Sequence, residues 1–501
     1  MGMHGLTRAL AVVCITVFLL SAQPDTLWTK TYGGFNGDIA RCVQQTNDGG
    51  FILTGGTASY GAGDMDIYII RTDSLGESLW TKTYGGFYND GSEWIECTVD
   101  GGYMIAGRRG NDGGSNSDVW LIKINSLGDT LWTKTFGGDG TEGTSMAKQV
   151  TDTGYIVVGF TNSSGSGLND LWLLRVDSAG DTIWTKTYGG SLNDGGTRVL
   201  QTSDKGYMIL GGTYSYGAGQ SDGWMIKADS QGNAQWSKTY GGTNYDFVYE
   251  MVETQDHGYF ITGMTMSFGN GHADAWFIRT DSLGDTLWTK TLGDTGYEYA
   301  ESGVQTADGG FIACGYKETN WIYDLWIMKL DSTGNCSWTK TLGHGFHEYG
   351  QSIRQTRDGG YICAGDYYYA SGNYDIWLIR LAAETSIAED DQHLLKDRCS
   401  QDRVVINASP NPFNSHLHIY YNLEEIGEPR IPESGHTAAA LKIYSAAGCL
   451  VKQWNEPAVK QSTHIIWSGT NQNELPVPSG IYFIQLETNN YKCAKKVVLL
   501  R

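Results

Sequence analysis

Two acidic columns and two basic ones are the residues of this chain most able to do chemistry. Asp66, Asp118, Asp170, Asp222, Asp274, Asp324 and Asp375 recur at near-constant spacing, and so do Asp38, Asp90, Glu142, Asp194, Asp246, Glu298 and Glu348. A ring of such carboxylates at a channel mouth could hold a cation or a cationic partner. Calcium, however, takes about six to eight oxygens at one point, and one carboxylate per repeat supplies too few in one place. A feature present in every repeat cannot form one asymmetric active site either. The columns therefore read as structural. The first Asp column is expected to hold loop amides or to pair with Lys30, Lys82, Lys134, Lys186, Lys238, Lys290 and Lys340. A second basic column, Arg71, Lys123, Arg175, Lys227, Arg279, Lys329 and Arg380, ends the strand that follows each Asp. His344, His347 and Glu348 could make a two-His, one-carboxylate metal set, but Glu348 fills its own repeat column. No metal and no cofactor are expected. Nucleophile-elbow, HExxH and P-loop motifs are all missing.

Recognition chemistry is expected where the repeats differ. The Gly- and Ser-rich loops on the acidic face vary most. They carry Tyr60, Arg108, Arg109, Tyr216, Phe268, Trp321, Tyr323, Tyr367, Tyr368 and Tyr369, with Tyr214, His272 and Tyr374 nearby. Exposed aromatics among small polar residues suit sugar stacking or adaptable protein contact. The alternative is that each only covers the edge of its own repeat.

The elements that must position these residues follow from a repeat. Trp28, Trp80, Trp132, Trp184, Trp236, Trp288 and Trp338 each open a Trp-Thr/Ser-Lys strand, at spacings of 52, 52, 52, 52, 52 and 50. A fixed period of this size means a repeat array. Each unit holds four short runs rich in Ile, Val, Tyr, Trp and Thr, with a Gly-containing turn after the first and third. The third run, Ile67-Tyr68-Ile69-Ile70 in the first unit, is apolar on both faces, as a strand must be when its sheet lies between two others. Tyr68, Trp120, Trp172, Trp224, Trp276, Trp326 and Trp377 add a second aromatic column.

The pattern predicts an all-β chain whose residues 23–381 form a seven-bladed β-propeller. The last unit lacks its own Trp strand, and the N-terminal strand Leu27–Tyr32 is expected to supply it, closing the ring. That closure should bring Lys30 near Asp375.

The N-terminus reads as an export signal over residues 1–22, with Arg8, the apolar run Ala9–Leu20, and small residues before Gln23. No other stretch is long and apolar enough to span a membrane. A net charge of −20 and a pI near 4.8 exclude nucleic acid as a natural partner, since phosphate binding needs clustered Lys and Arg. Cys42, Cys97, Cys314, Cys336, Cys363, Cys399, Cys449 and Cys493 form no column and no CxxC pair, and read as small buried hydrophobes.

Residues 382–403, with Glu389-Asp390-Asp391, read as a linker. From residue 404 the composition changes to alternating strands about ten residues apart, which suggests a small Ig-like β-sandwich. The motif order here is Ser409-Pro410-Asn411-Pro412-Phe413, then Leu441-Lys442-Ile443-Tyr444, then Trp467-Ser468-Gly469, then Pro478-Ser479-Gly480-Ile481-Tyr482, then a basic-apolar end. It resembles the type A C-terminal sorting domain of the type IX secretion system of Bacteroidota. The resemblance covers residues 404–501 and implies export through that machinery, which becomes a partner, with Pro410, Asn411, Pro412, Phe413, Gly480 and Tyr482 as its motif residues. It also implies a secreted or outer-surface location. Three functions stay open: a propeller that binds glycan or protein, a secreted glycan lyase or hydrolase using loop-face carboxylates, and a purely structural or adhesive surface protein. Two inequivalent carboxylates in one pocket would favour the enzyme.

Overall fold

The computed structural model describes residues 23–110, 116–369, 373–384, 405–409, 413, 416–422, 439–445, 450–456, 462–472, 475–477, 479–487 and 492–499. The segment expected to be an export signal, most of the expected linker, and Pro410, Asn411 and Pro412 lie outside these residues. All regular elements among them are β-strands, and no helix is long and apolar enough to cross a membrane.

Gln23–Glu384 is one compact unit. It contains seven four-stranded antiparallel sheets in a propeller-like array. Sheet 1 runs Asp38–Gln45, Phe51–Thr57, Asp66–Thr72 and Ser78–Tyr84, in that spatial order. Sheets 2 to 6 repeat it from Gly91, Glu142, Asp194, Asp246 and Glu298. Sheet 7 holds Glu348–Gln355, Tyr361–Tyr369 and Asn373–Leu381, and takes its fourth strand, Thr26–Tyr32, from the N-terminus. Thr31 lies opposite Trp377 and Trp28 opposite Arg380.

Sheet 7 also packs on sheet 1. Ile362, Ala364, Ile376 and Leu378 share a core with Ala40, Val43, Phe51 and Leu53. The Ala40 amide donates to Asp366 Oδ1 across that junction at 2.7 Å. The third strand of sheet 1 is buried along its whole length, as its apolar sequence requires of a strand covered on both faces.

Three repeated devices hold each sheet to itself and to the next. The first is the Trp column. Trp28 lies edge-on to Phe51 of the next sheet with centroids 6.0 Å apart, and Trp80 repeats this with Tyr103 at 6.4 Å. The turn glycine of that next sheet fits under the indole: a Cβ on Gly76 would sit 2.8 Å from Trp28. Gly76 also holds φ of 78°, so two independent constraints select glycine there.

The second device is the basic column ending the third strand. Arg71 pairs with Asp48 at 2.5 Å, Lys123 with Asp100 at 3.0 Å and Arg380 with Asp358 at 2.6 Å, so each fixes the first hairpin turn of its own sheet. Hydrogen bonds from Thr98 and Lys123 outweigh burial and hold Asp100 down to about 2. Asp204 is held equally low by Thr202 and Lys227.

The third device departs from expectation. The lysines of the Trp strands do not reach the Asp column. Lys82 falls opposite Ile69, because the end of its strand at Tyr84 reaches only Ile67, and Lys30 falls opposite Leu378 rather than near Asp375. Each lysine instead crosses to the next sheet, Lys30 to Glu77 at 2.6 Å and Lys134 to Asp181 at 2.8 Å. The Asp column holds loop amides, Ser166 donating to Asp170 at 2.7 Å and Ala218 to Asp222 at 2.9 Å.

The C-terminal unit has two antiparallel sheets. One contains Val405–Ser409, Leu417–Asn422 and Ser462–Trp467; the other orders Leu450–Glu456, Ala439–Ser445, Gly480–Glu487 and Lys492–Leu499. Both bury side chains in one core around Trp467. The Trp467 ring meets Phe413 at 5.4 Å and Tyr482 at 5.0 Å, and its Nε1 donates to the Thr470 carbonyl at 2.8 Å. Gly480 opens the strand that carries Tyr482.

Candidate functional site at the mouth of the central channel

The first strands of the seven sheets stand side by side around the axis. Each carries a β-bulge, which sets one residue off the ladder and re-aims its side chain. That residue is Arg41, Glu93, Ser145, Thr197, Tyr249, Glu301 or Gln351. All are half-buried and line the channel, and no two neighbouring sheets carry the same residue.

One step deeper, residues from five sheets meet across the axis. The Trp94 ring of sheet 2 lies between the guanidiniums of Arg198 and Arg354, at 5.2 and 5.5 Å. Glu250 accepts from Arg198 Nε at 2.6 Å and pairs with Arg354 at 3.5 Å. Ser302 donates to Glu250 at 3.3 Å and accepts from Arg354 at 3.0 Å. Burial opposes the Glu250 charge, but the two arginines overcome it and hold its pKa below the usual range. This polar plug bridges the channel. The space on the loop side of it is a cup.

The cup is asymmetric. Its wall at sheets 6 and 7 is tyrosine. Tyr299 stacks on Tyr316 at 4.5 Å, Tyr316 meets Tyr349 edge-on at 4.9 Å, and Tyr349 continues to Tyr323 at 5.8 Å and Tyr374 at 6.2 Å. Tyr368 packs on Tyr374 at 5.1 Å, and His347 Nδ1 accepts from the Tyr323 amide at 3.2 Å. Sheets 1 to 4 place Ile39, Gly91, Gly143 and Gly195 at the rim position that Tyr299 and Tyr349 occupy.

Two carboxylates belong to this wall. Burial pushes the Glu301 pKa up to about 7 against the opposing influence of Arg41, Arg198 and the Tyr316 hydroxyl. Its side chain is half-buried. Asp366 stands where the other sheets have Gly56, Arg108, Phe160, Gly212, Met264 and Tyr316. It accepts from the Ala40 amide and from Gln351 Nε2 at 2.9 Å, and burial raises it to about 6 despite Arg41.

Beside the wall, the second and third strands of sheet 6 are joined by only Asn320 and Trp321, both at positive φ, 54° and 68°. This tight turn accounts for the 50-residue spacing of Trp288 and Trp338. Trp321 is 82% exposed. A bulky residue in the left-handed region is costly, and an exposed one gains no burial in return.

The residues expected from the sequence divide into two groups. Tyr60, Tyr216 and Phe268 lie on Tyr68, Trp224 and Trp276 of their own sheets, at 5.6, 5.2 and 6.1 Å. Arg109 lies 5.3 Å over Trp120, and Tyr367 5.5 Å from Trp377. These five cap the second aromatic column. Arg108 is exposed on the strand Tyr103–Gly110, away from the tyrosine wall. Tyr323 and Tyr368 are in the wall and Trp321 is next to it. The Tyr369 side chain lies outside the described residues; its backbone pairs with Asn373.

His344 turns to Tyr367 and Trp377, at 5.3 and 5.7 Å, and His347 to the wall, so the two do not converge. The acidic column turns into its own loops, with Gly34 donating to Asp38 at 2.7 Å and Gly190 to Asp194 at 2.8 Å. Among the described residues no three His, Cys, Asp or Glu side chains group as metal ligands. Glu301, Asp366, Tyr316 and Tyr349 were not among the expected residues. Glu301 lies in the bulge column, and Tyr316, Tyr349 and Asp366 lie on the ladder beside it, at positions whose residue type varies from repeat to repeat.

Residues 407–500 match the family of secretion system C-terminal sorting domains. The chain is thus a type IX secretion cargo, a secreted or outer-surface protein with a propeller-like repeat region, and its sorting domain engages the secretion machinery. Among curated proteins it is similar to the regulatory protein FlaEY of Caulobacter vibrioides, 27% identical over 186 residues, which is 32% of this chain and 19% of that protein. The match therefore spans about a fifth of that relative's length. Among solved structures it is similar to PorZ, a surface component of the type IX secretion system of Porphyromonas gingivalis, with 10% identity, a TM-score of 0.33, and 94% and 75% of the two chains covered. It is also similar to Sqt1 of Chaetomium thermophilum, with 8% identity, a TM-score of 0.41, and 72% and 100% covered.

Proposed function

We propose that this protein is an exported recognition module. In this reading residues 1–22 are a cleaved export signal, the seven sheets are blades of one closed propeller, residues 382–403 are a linker, and the C-terminal unit is an Ig-like sandwich that serves as the address. The ligand, glycan or polypeptide, docks at the loop-side mouth against the tyrosine wall. The observation that carries the reading is Trp321. A strained, exposed tryptophan on a two-residue turn beside seven clustered aromatic rings has no packing role, and large rigid aromatics are the anchors of recognition surfaces. The plug closes the channel below, so a ligand entering the mouth meets a floor.

The test is a glycan and polypeptide array probed with the full chain and with Trp321→Ala, Tyr323→Ala and Tyr60→Ala. Binding lost in the first two and kept in the third supports the reading. Equal loss in all three places the ligand elsewhere.

A second reading rests on Glu301 and Asp366. They are two inequivalent carboxylates in one wall, as an acid–base pair requires, and a glycan lyase or hydrolase would use them. Oligosaccharide cleavage by the full chain that disappears in both Glu301→Gln and Asp366→Asn would establish it.

A further inference from the structure

Exposed aromatic rings continue from the mouth along one side of the loop end. Three successive loops, each joining the fourth strand of one sheet to the first strand of the next, carry a Phe. Phe346 lies between sheets 6 and 7, Phe35 between sheets 7 and 1, and Phe87 between sheets 1 and 2. Phe35 is 89% exposed, Phe87 81% and Phe346 44%. The other four loops have Asp139, Ser191, Thr243 and Thr295 where Phe35 and Phe87 stand, so the row is one-sided. It joins the tyrosine wall. Phe346 lies 5.5 Å from Tyr368, which packs on Tyr374. Asn373, next to Tyr374, donates from Nδ2 to the Phe35 carbonyl at 2.8 Å.

The chemistry of the row selects its occupant. The carboxylates that end these loops, Asp38, Asp90 and Glu348, are buried. Residues 33–37, 85–89 and 343–347 include no acid, Lys or Arg, and a net charge of −20 elsewhere repels polyanions. The row therefore suits a neutral polymer. Phe35 stands between Gly34 and Asn36, and Phe87 between Gly86 and Tyr88. These are single rings, not the contiguous apolar patch that a bilayer or a protein core would cover. The loop amides are engaged at home, Asn36 donating to Ser59 at 2.9 Å and Gly86 to Asp90 at 2.8 Å. The loops thus offer ring faces rather than a strand edge for a peptide. Sheets packed face to face stand about 10 Å apart, so only an elongated ligand meets two junctions.

We propose that a neutral polysaccharide chain lies along this row, stacking sugar faces on Phe35 and Phe87, with one end at Trp321 and the tyrosine wall. This rests on the recognition reading above and narrows its ligand to one chemistry. Once the first sugars are held at the wall, each further ring contact is intramolecular, so affinity grows with chain length.

The test is affinity electrophoresis of the full chain in gels containing galactomannan, mixed-linkage β-glucan or xylan, with polygalacturonate as the charged comparator. Disaccharides and octasaccharides of whichever polymer retards it are then titrated calorimetrically. The proteins are the full chain, Phe35→Ala combined with Phe87→Ala, and Leu192→Ala, an exposed apolar residue of the loop between sheets 3 and 4. Expected are retardation by at least one neutral polymer and none by polygalacturonate, and an octasaccharide bound about tenfold or more tighter than the disaccharide. The double variant should lose that gain while keeping its disaccharide affinity and melting temperature, and Leu192→Ala should match the parent. No retardation by any neutral polymer, equal affinity for the two lengths, or an octasaccharide affinity unchanged in the double variant would overturn the polysaccharide inference. If array polypeptides bind through Trp321 in those cases, the recognition reading stands without it. No retardation here, together with a full chain that binds nothing on the array, overturns both.

Discussion

Glu250 is the charge on which the channel plug depends. It is 2% exposed and faces two arginines, each also lying against Trp94. Replacing it by Gln leaves both guanidiniums buried without a counter-ion. Breaking a buried pair in this way costs about 3–5 kcal/mol. Urea denaturation of Glu250→Gln should show that loss, with Arg198→Met less damaging because Arg354 keeps its partner. A loss within experimental error would mean that water already solvates the plug.

Trp321 should behave in the opposite way. Its left-handed backbone costs a non-glycine residue about 1–2 kcal/mol, so Trp321→Gly should raise the melting temperature slightly while abolishing ligand binding. Equal or lower stability would remove the strain argument. The two residues also mark what was legible in the sequence. Trp321 stood out because a loop position broke the repeat. Glu301 and Glu250 were hidden because they lie on strands that otherwise repeat well. Only the bulge within each first strand separates channel-facing from packed positions, and nothing in the local residue types announces a bulge there.

At the scale of elements, the repeat made strands and turns readable. Period, turn glycines and apolar third runs specify four strands per unit, and the N-terminal strand completes sheet 7 as the missing Trp strand required. The side-chain pairing of that strand was not readable. The register of each fourth strand sets Lys30, Lys82 and their equivalents opposite the middle of the third strand, away from the Asp column, and their side chains cross to the neighbouring sheet. That register makes the lysines links between sheets.

Deleting residues 25–32 would remove the fourth strand of sheet 7 and the Trp28 contact on Phe51 and Gly76. The edge of Asn373–Leu381 would then be open to pairing with another chain. Size-exclusion chromatography should show association of the deleted form. Trp28→Ala, which spares the backbone ladder, should stay monomeric and lose about 3 kcal/mol. A deleted form that remains monomeric with an unchanged melting temperature would show that the strand is not part of the closure.

The whole molecule carries two populations of carboxylates that pull stability in opposite directions with pH. At the turn end of the sheets, Asp100 and Asp204 are held to about 2 by hydrogen bonds and basic partners, and Asp48, Asp152, Asp256, Asp308 and Asp358 are lowered by similar partners. A carboxyl lowered on folding stabilises above its unfolded pKa of about 4, and that contribution fades as pH falls toward about 2. At the loop end burial dominates. Glu298, Glu301 and Glu348 are raised to about 7 and Asp366 to about 6. Asp66, Asp90, Asp222, Asp274, Asp324 and Asp375 are raised for the same reason.

Several of the raised carboxylates are paired across one glycine. A Cβ on Gly85 would lie 1.6 Å from Asp66 Oδ1 and 2.9 Å from Asp90 Oδ2, so the two acids crowd a single turn and Gly85→Ala should destabilise strongly. A carboxyl raised on folding stabilises below about pH 4, and this is lost as pH rises through 6 to 7. The two populations together place maximum stability at about pH 4–6, with a fall on both sides. The repulsion within a chain of net charge −20 deepens the alkaline fall. Urea midpoints measured at low protein concentration should be higher at about pH 5 than at about pH 8, and Asp366→Asn together with Glu348→Gln should flatten that difference. A midpoint that rises steadily from pH 5 to 8 would mean that the loop-end carboxylates are ionised in the folded protein and that their burial is relieved by a bound cation or by water.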